Sequence, residues 1–178
     1  MRIDQLEDLL QAGLRLKGVK RTGWMEAGLP DPESVADHSY GVSLTTMVLS
    51  DTLGLDTLRA LRMALLHDLA ESLTGDIPRP AKGAGDEARE DEAMAELLMR
   101  LPETLRGLYQ ESWEEYRSQT TWEARLVEAA DKLELAIQAE IYAGRHPGAP
   151  LESFRRERRE AEQTLEELGR LKKATPRG

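Results

Sequence analysis

"MALLHDLAES", residues 63–72, runs apolar and then packs His67, Asp68, Glu71 and Ser72 into six positions. Apolar residues recur here at helical spacing, and the pattern predicts a helix from about Asp56 to Leu73. Gly75, Pro78 and Pro80 in "TGDIPRP" forbid its continuation. At about 100° of rotation per residue, His67, Asp68 and Glu71 fall within an arc of roughly 100° that Ala60 and Ala64 share. Leu58, Leu61, Leu65 and Leu69 form a separate stripe expected to face the core. Small residues beside three polar ones predict a hollow at the polar arc.

Working outward, helical periodicity continues and no alternating strand pattern is convincing. "IDQLEDLLQAGLRLK" places Ile3, Leu6, Leu10 and Leu14 on one expected stripe, and "GVKRTGWMEAGLPDPES" reads as loop. Asp31-Pro32 and the Ser34-to-Asp37 pair are competing N-cap signals for a helix through about Leu53. Further helices fit 86–101, 103–118, 121–143 and 151–172. The expected fold is all-α: one compact helical bundle of six or seven helices over residues 1–178, its core at about 14–145 and a C-terminal helix at about 151–172. That last helix, "ESFRRERREAEQTLEELGRLKK", reads as a solvated or dimer-packing element.

Composition narrows the chemistry. Cysteine is absent, which removes disulfides, thiolate metal sites and cysteine nucleophiles and leaves His, Asp and Glu as metal ligands. No apolar run approaches twenty residues and no signal-peptide pattern is present, so a soluble, cytoplasmic protein without a membrane partner is expected. The 24 basic and 33 acidic residues give a net charge of −9, which argues against a general nucleic-acid surface. An anionic small substrate stays compatible, because one arginine and one metal ion reverse the sign locally. "KGAGDEA" lacks the preceding strand and following Lys-Ser/Thr of a phosphate loop.

Two other segments turn the polar arc into a candidate site. In "SVADHSYGVSLTTMVLS", His38 shares the inward stripe of Val35, Val42 and Leu49. In "ARLVEAADKLELAIQAEIY", Asp131 lies with Ala124, Val127, Leu135 and Tyr142 on a helix that is apolar almost all round, where an unpaired carboxylate costs several kcal/mol. A polar helix face alone is usually just solvated. Three segments presenting metal-competent side chains inward are better explained by one divalent ion held by His38, His67, Asp68 and Asp131, with Co, Mn, Fe and Zn all suited to two imidazoles and two carboxylates. His146, in "GRHPG", reads as a loop residue outside the set.

The order His38, His67-Asp68, Asp131 resembles the HD-domain metal-dependent phosphohydrolases. The blocks "RTGW", "PESVADHSYG", "HDLAESLTGDIP", "DEAREDEAMAELLMRLPE" and "SWEEYRSQTTWEARLVEAADKLE" resemble more narrowly the HD-domain 5′-deoxynucleotidase family, over about residues 14–145. The resemblance implies an all-α homodimer that hydrolyses deoxyribonucleoside 5′-monophosphates to deoxyribonucleoside and phosphate. It carries the metal to His38, His67, Asp68 and Asp131, and the catalytic acids to Glu71 and Asp76. Arg21 would orient the phosphate, Trp24 would crowd the sugar against a ribose 2′-hydroxyl, and Asp76 and Arg79 would touch the substrate. In some members the arginine and tryptophan are adjacent, whereas "RTGW" separates them by two residues.

Physically, a bound metal can polarise a phosphoryl oxygen and acidify water. Glu71, four residues after His67, is placed to hold or deprotonate that water. Asp76 can do the same or protonate the leaving 5′-oxygen. Arg21 can bond two phosphate oxygens in parallel. On residue type alone, Arg21 also fits a surface arginine and Trp24 a core anchor. Arg79 and Lys82 fit either a ligand contact or a solvated Pro-rich loop. Two other functions compete: an HD phosphohydrolase acting on a nucleoside triphosphate, cyclic dinucleotide or guanosine tetraphosphate, and a non-catalytic metal- and nucleotide-binding helical module.

Overall fold

A computed structural model describes residues 4–78 and 81–174. Among them the all-α expectation holds, the one extended pairing being an isolated bridge between Lys20 and Ser34. The long helices are α1 (Asp4–Arg15), α3 (Val35–Leu53), α4 (Thr57–Leu66), α6 (Ala84–Met99), α7 (Glu103–Ser118), α8 (Trp122–Arg145) and α9 (Glu152–Ala174). Two short ones, α2 (Thr22–Glu26) and α5 (Glu71–Thr74), flank the site. No described helix is long and apolar enough to cross a membrane.

Of the competing caps, Ser34 and Asp37 start α3: the Ser34 hydroxyl accepts from the Asp37 N–H at 3.2 Å, and the Asp37 carboxylate accepts from the Ser34 N–H at 2.9 Å. Gly54, at φ 64°, ends that helix in the left-handed region open to glycine. In "KGAGDEA", Gly83 N–H donates to Asp86 at 3.1 Å and caps α6.

Four expectations outside the site need correction. The segment read as loop before α3 contains α2, which puts "TGW" on a helical turn. On α1, Leu10 and Leu14 are more than half exposed, whereas Ala12 is buried and Leu6 and Leu9 pack on the core; Ile3 lies outside the described residues. On α4, Leu58 and Leu65 are exposed, and Ala60, Met63, Ala64 and Leu66 are buried instead. The reason is close helix approach. Ala60 and Ala64 meet Val42 of α3 and Ala124, Val127 and Ala130 of α8, so the small-residue stripe expected to border a hollow is the helix contact itself.

The fourth concerns α9. Its outer face is charged, but Ala161 and Leu168 are buried, Leu168 within the cluster of Val42, Met63 and Leu126. Ion pairs Arg125–Glu167, Lys132–Glu160 and Arg158–Glu140 show α8 and α9 running antiparallel. This helix closes the core.

Candidate active site

The helix expected to reach Leu73 stops at Leu66, and residues 67–70 form a turn before α5. The His67 ring supplies a cause: its Nδ1–H donates to the Ala64 carbonyl at 2.7 Å, occupying an acceptor that the next helical turn would use. The backbone then tightens, with Leu69 N–H on Leu66 O at 3.0 Å and Glu71 N–H on Asp68 O at 3.1 Å. In such i→i+3 turns residues three apart eclipse, which stacks Glu71 over Asp68.

The sequence-derived donors converge. His67 Nε2 stands 3.5 Å from His38 Nε2 and 3.1 Å from Asp68 Oδ2. His38 Nε2 is 3.6 Å from Asp68 Oδ2 and 3.2 Å from Asp131 Oδ1. Two ligand atoms about 2.1 Å from one ion, at angles of 90–110°, would stand about 3.0–3.4 Å apart, close to this spacing. Both Nδ1 atoms are committed elsewhere, that of His67 to Ala64 and that of His38 to Glu134 Oε2 at 2.6 Å. Each Nε2 lone pair is therefore free to bind a cation. His38, His67 and Asp68 offer ligand atoms within 4.8 Å of one another, and Asp131 joins them through His38, a set of two imidazoles and two carboxylates that fits a divalent transition metal.

Electrostatics report the same crowding. Burial and Arg21 push the His38 imidazole down, but Asp131 and Glu134 outweigh them and raise it to about 9. Burial works against the Asp68 charge, yet His67, Arg21 and His38 hold its carboxyl well below the usual range. Glu71 goes the other way: burial first, then repulsion from Asp68 and Asp76, raise it to about 10. Its Oε2 is buried and has no hydrogen-bond partner among the described residues.

Arg21 reaches the cluster from the start of α2, its Nη1 3.4 Å from Asp68 Oδ2 and 3.1 Å from Asp76 Oδ1. Burial alone would weaken its charge; Asp68, Asp76, Asp131 and Glu71 around it reinforce it. Asp76 Oδ2 accepts the Thr22 N–H at 2.5 Å, and the Thr22 hydroxyl donates to the Asp76 carbonyl at 2.8 Å. With both oxygens accepting N–H bonds, Asp76 is built to orient Arg21. Trp24 is 1% exposed; it packs on Tyr142 and Phe154 and donates its Nε1–H to Glu33 at 2.9 Å. Arg79 lies outside the described residues, and His146 caps α8 away from the cluster.

A cavity of about 760 Å³ opens onto His67, Asp68, Glu71 and Asp131. Lys82 lines it and pairs with Glu90 at 2.5 Å. Arg117 lines it too, set over the Trp113 ring.

One residue that sequence reasoning missed is Glu134, three positions after Asp131 on α8. A faint signal existed in Gly41, three positions after His38 in mid-helix. A Cβ there would sit 2.7 Å from Glu134 Oε1, so the glycine makes room for the carboxylate that orients His38.

An all-α domain that gathers two histidines and two aspartates from α3, the 67–70 turn and α8 is the architecture of a helical metal-binding domain. Comparison with known proteins makes this specific: residues 14–171 match the HD domain model, and the chain belongs to the HD domain family. It is 43% identical over 131 residues to the 5′-deoxynucleotidase HDDC2 of Homo sapiens, covering 72% of this chain and 63% of that protein, less than two thirds of its length. It is 36% identical over 141 residues to the 5′-deoxynucleotidase hdd1 of Schizosaccharomyces pombe, covering 75% of this chain and 70% of that protein. Among solved structures it is similar to a conserved hypothetical protein from Pyrococcus furiosus, with a TM-score of 0.74, 35% identity, and 90% of this chain and 98% of that one covered.

Proposed function

We propose that this chain, one HD domain with α9 as an integral part, is a divalent-metal-dependent phosphomonoester hydrolase acting on deoxyribonucleoside 5′-monophosphates. The convergence of the His38, His67, Asp68 and Asp131 donor atoms beside a buried, unpartnered Glu71 oxygen carries the reading. The names of the relatives supply its substrate class.

His38, His67, Asp68 and Asp131 would hold one ion, of Mn, Co, Fe or Zn. When bound, such an ion supplies Lewis-acid polarisation of a phosphoryl oxygen and acidified water. Glu71, ionised once a cation offsets Asp68 beside it, takes the proton of the attacking water; burial and repulsion from Asp68 and Asp76 raise its proton affinity above that of an exposed glutamate. Arg21, held by Asp76, clamps the phosphate oxygens and faces the charge that builds up on them. Water oxygen bonds to phosphorus as the bond to the 5′-oxygen breaks, Glu71 passes the proton it took to that oxygen, and the products are deoxyribonucleoside and phosphate. Asp76 acts by positioning, and Arg79, outside the described residues, keeps the substrate-contact role expected of it from the sequence. Trp24 backs the wall on the sugar side of the cavity.

A homodimer is part of the proposal. Its support is an exposed apolar stripe on α3, Tyr40, Leu44 and Val48, 71%, 46% and 54% exposed. Light scattering at micromolar concentration checks it.

The decisive assay measures phosphate release from dAMP and dTMP by purified protein supplied with Mn²⁺ or Co²⁺, with AMP alongside. Turnover of the deoxynucleotides above AMP is expected. Release only from other phosphoesters would overturn the substrate, and equal rates on AMP and dAMP would remove the deoxyribose selectivity.

A further inference from the structure

We propose that Phe154 of α9 supplies the aromatic surface on which the nucleobase of the substrate lies; this rests on the nucleotide reading above. Three rings cluster at the apolar end of the cavity. Trp24 and Tyr142 are 1% and 5% exposed, so neither offers a face to a ligand. Phe154 is half-buried, stacked on Trp24 with centroids 4.2 Å apart and planes at 36°, and it lines the cavity. Gly23 permits this pose, since a Cβ there would stand 3.2 Å from Phe154 Cε1.

Position agrees with the role. Leu135, which packs with Trp24 and Phe154, follows Asp131 by one turn of α8. That turn advances about 6 Å, of the order of the span from a 5′-phosphate to its base. The same cavity is thus lined by His67, Asp68 and Glu71 and by Leu135 and Phe154. Every base has a π-face, so stacking of this kind tolerates purines and pyrimidines alike.

Two experiments test it on the zinc-loaded full chain. Phe154 is the single phenylalanine, so its ring signals are unambiguous in a phenylalanine-labelled sample. Deoxyadenosine should shift them, and 2-deoxyribose should not. In kinetics, Phe154→Leu should raise KM for dAMP and dTMP by about tenfold. It should leave 2-deoxyribose 5-phosphate within twofold, and Phe154→Tyr should restore parental values. Equal losses on all three substrates would make Phe154 merely structural and overturn the inference. A ring unmoved by deoxyadenosine would overturn it even if the leucine variant fails to fold. Hydrolysis of dAMP with an unmoved ring sinks this inference alone, whereas no hydrolysis of any deoxynucleotide sinks the reading beneath it.

Discussion

The inner cluster around His38 and the outer face of α9 contain the same kinds of contact with opposite consequences. On α9, Arg170–Glu166 at 2.9 Å and Arg158–Glu162 at 3.0 Å are pairs in water, each partner more than two fifths exposed. Such pairs contribute about 0–1 kcal/mol and exchange freely with solvent. Inside, His38 stands 2.6–3.6 Å from Asp68, Asp131 and Glu134, and His67 stands 3.1 Å from Asp68, with the two imidazoles almost wholly buried. There each charge depends on its neighbours, and a cation bound at the centre would offset the carboxylates. Position in the fold, more than residue type, separates a solubilising surface from a reactive site.

The largest break in that comparison is the loss of an inner donor. Asp131→Ala or His67→Ala should lower metal affinity by more than the ~100-fold that losing an outer-shell partner costs, read by metal content after dialysis. Glu71→Gln should retain the ion while phosphate release falls about 10²–10⁴-fold. Parental turnover in that variant would remove Glu71 from the chemistry. A step outward, Glu134→Gln should weaken metal binding about 10–100-fold without abolishing it. Gly41→Ala should act in the same direction, because its Cβ displaces Glu134.

Protonation sharpens the contrast. In metal-free protein the His38 imidazole is raised from 6.5 to about 9 and the Glu71 carboxyl from 4.5 to about 10. Groups raised on folding contribute stability that is complete below their unfolded values and lost as pH rises through the folded ones. Melting of the metal-free chain should therefore fall as pH rises from 4.5 to 10, most steeply above 6.5 where both groups contribute, whereas the metal-loaded chain should vary much less. Parallel curves with and without metal would contradict this. The smallest effect belongs to the outer face: Arg170→Ala, at a side chain 78% exposed, should change unfolding free energy by no more than about 0.5 kcal/mol in a urea titration.

Much of this was legible in the sequence, in a patterned way. The α3 and α8 faces that carry His38 and Asp131 follow from apolar periodicity, because Val35, Val42, Ala124 and Val127 left one inward direction. On α4, two leucines stood beside an alanine stripe, and area favoured the leucines while close packing chose Ala60 and Ala64. The break at Leu66 arises from the His67 ring taking a backbone carbonyl, a contact that periodicity does not encode. Glu134 and Phe154 were missed for a related reason. Both matter through what they meet across the fold, His38 in one case and the wall beside Trp24 in the other.

Anomalous diffraction from crystals of the full chain loaded with Mn²⁺ or Co²⁺ tests the central claim most directly. One strong peak per chain is expected, within about 2.0–2.3 Å of Nε2 of His38 and His67 and of carboxylate oxygens of Asp68 and Asp131. A peak held by other residues, or none at that centre with the ion in excess, would contradict the account.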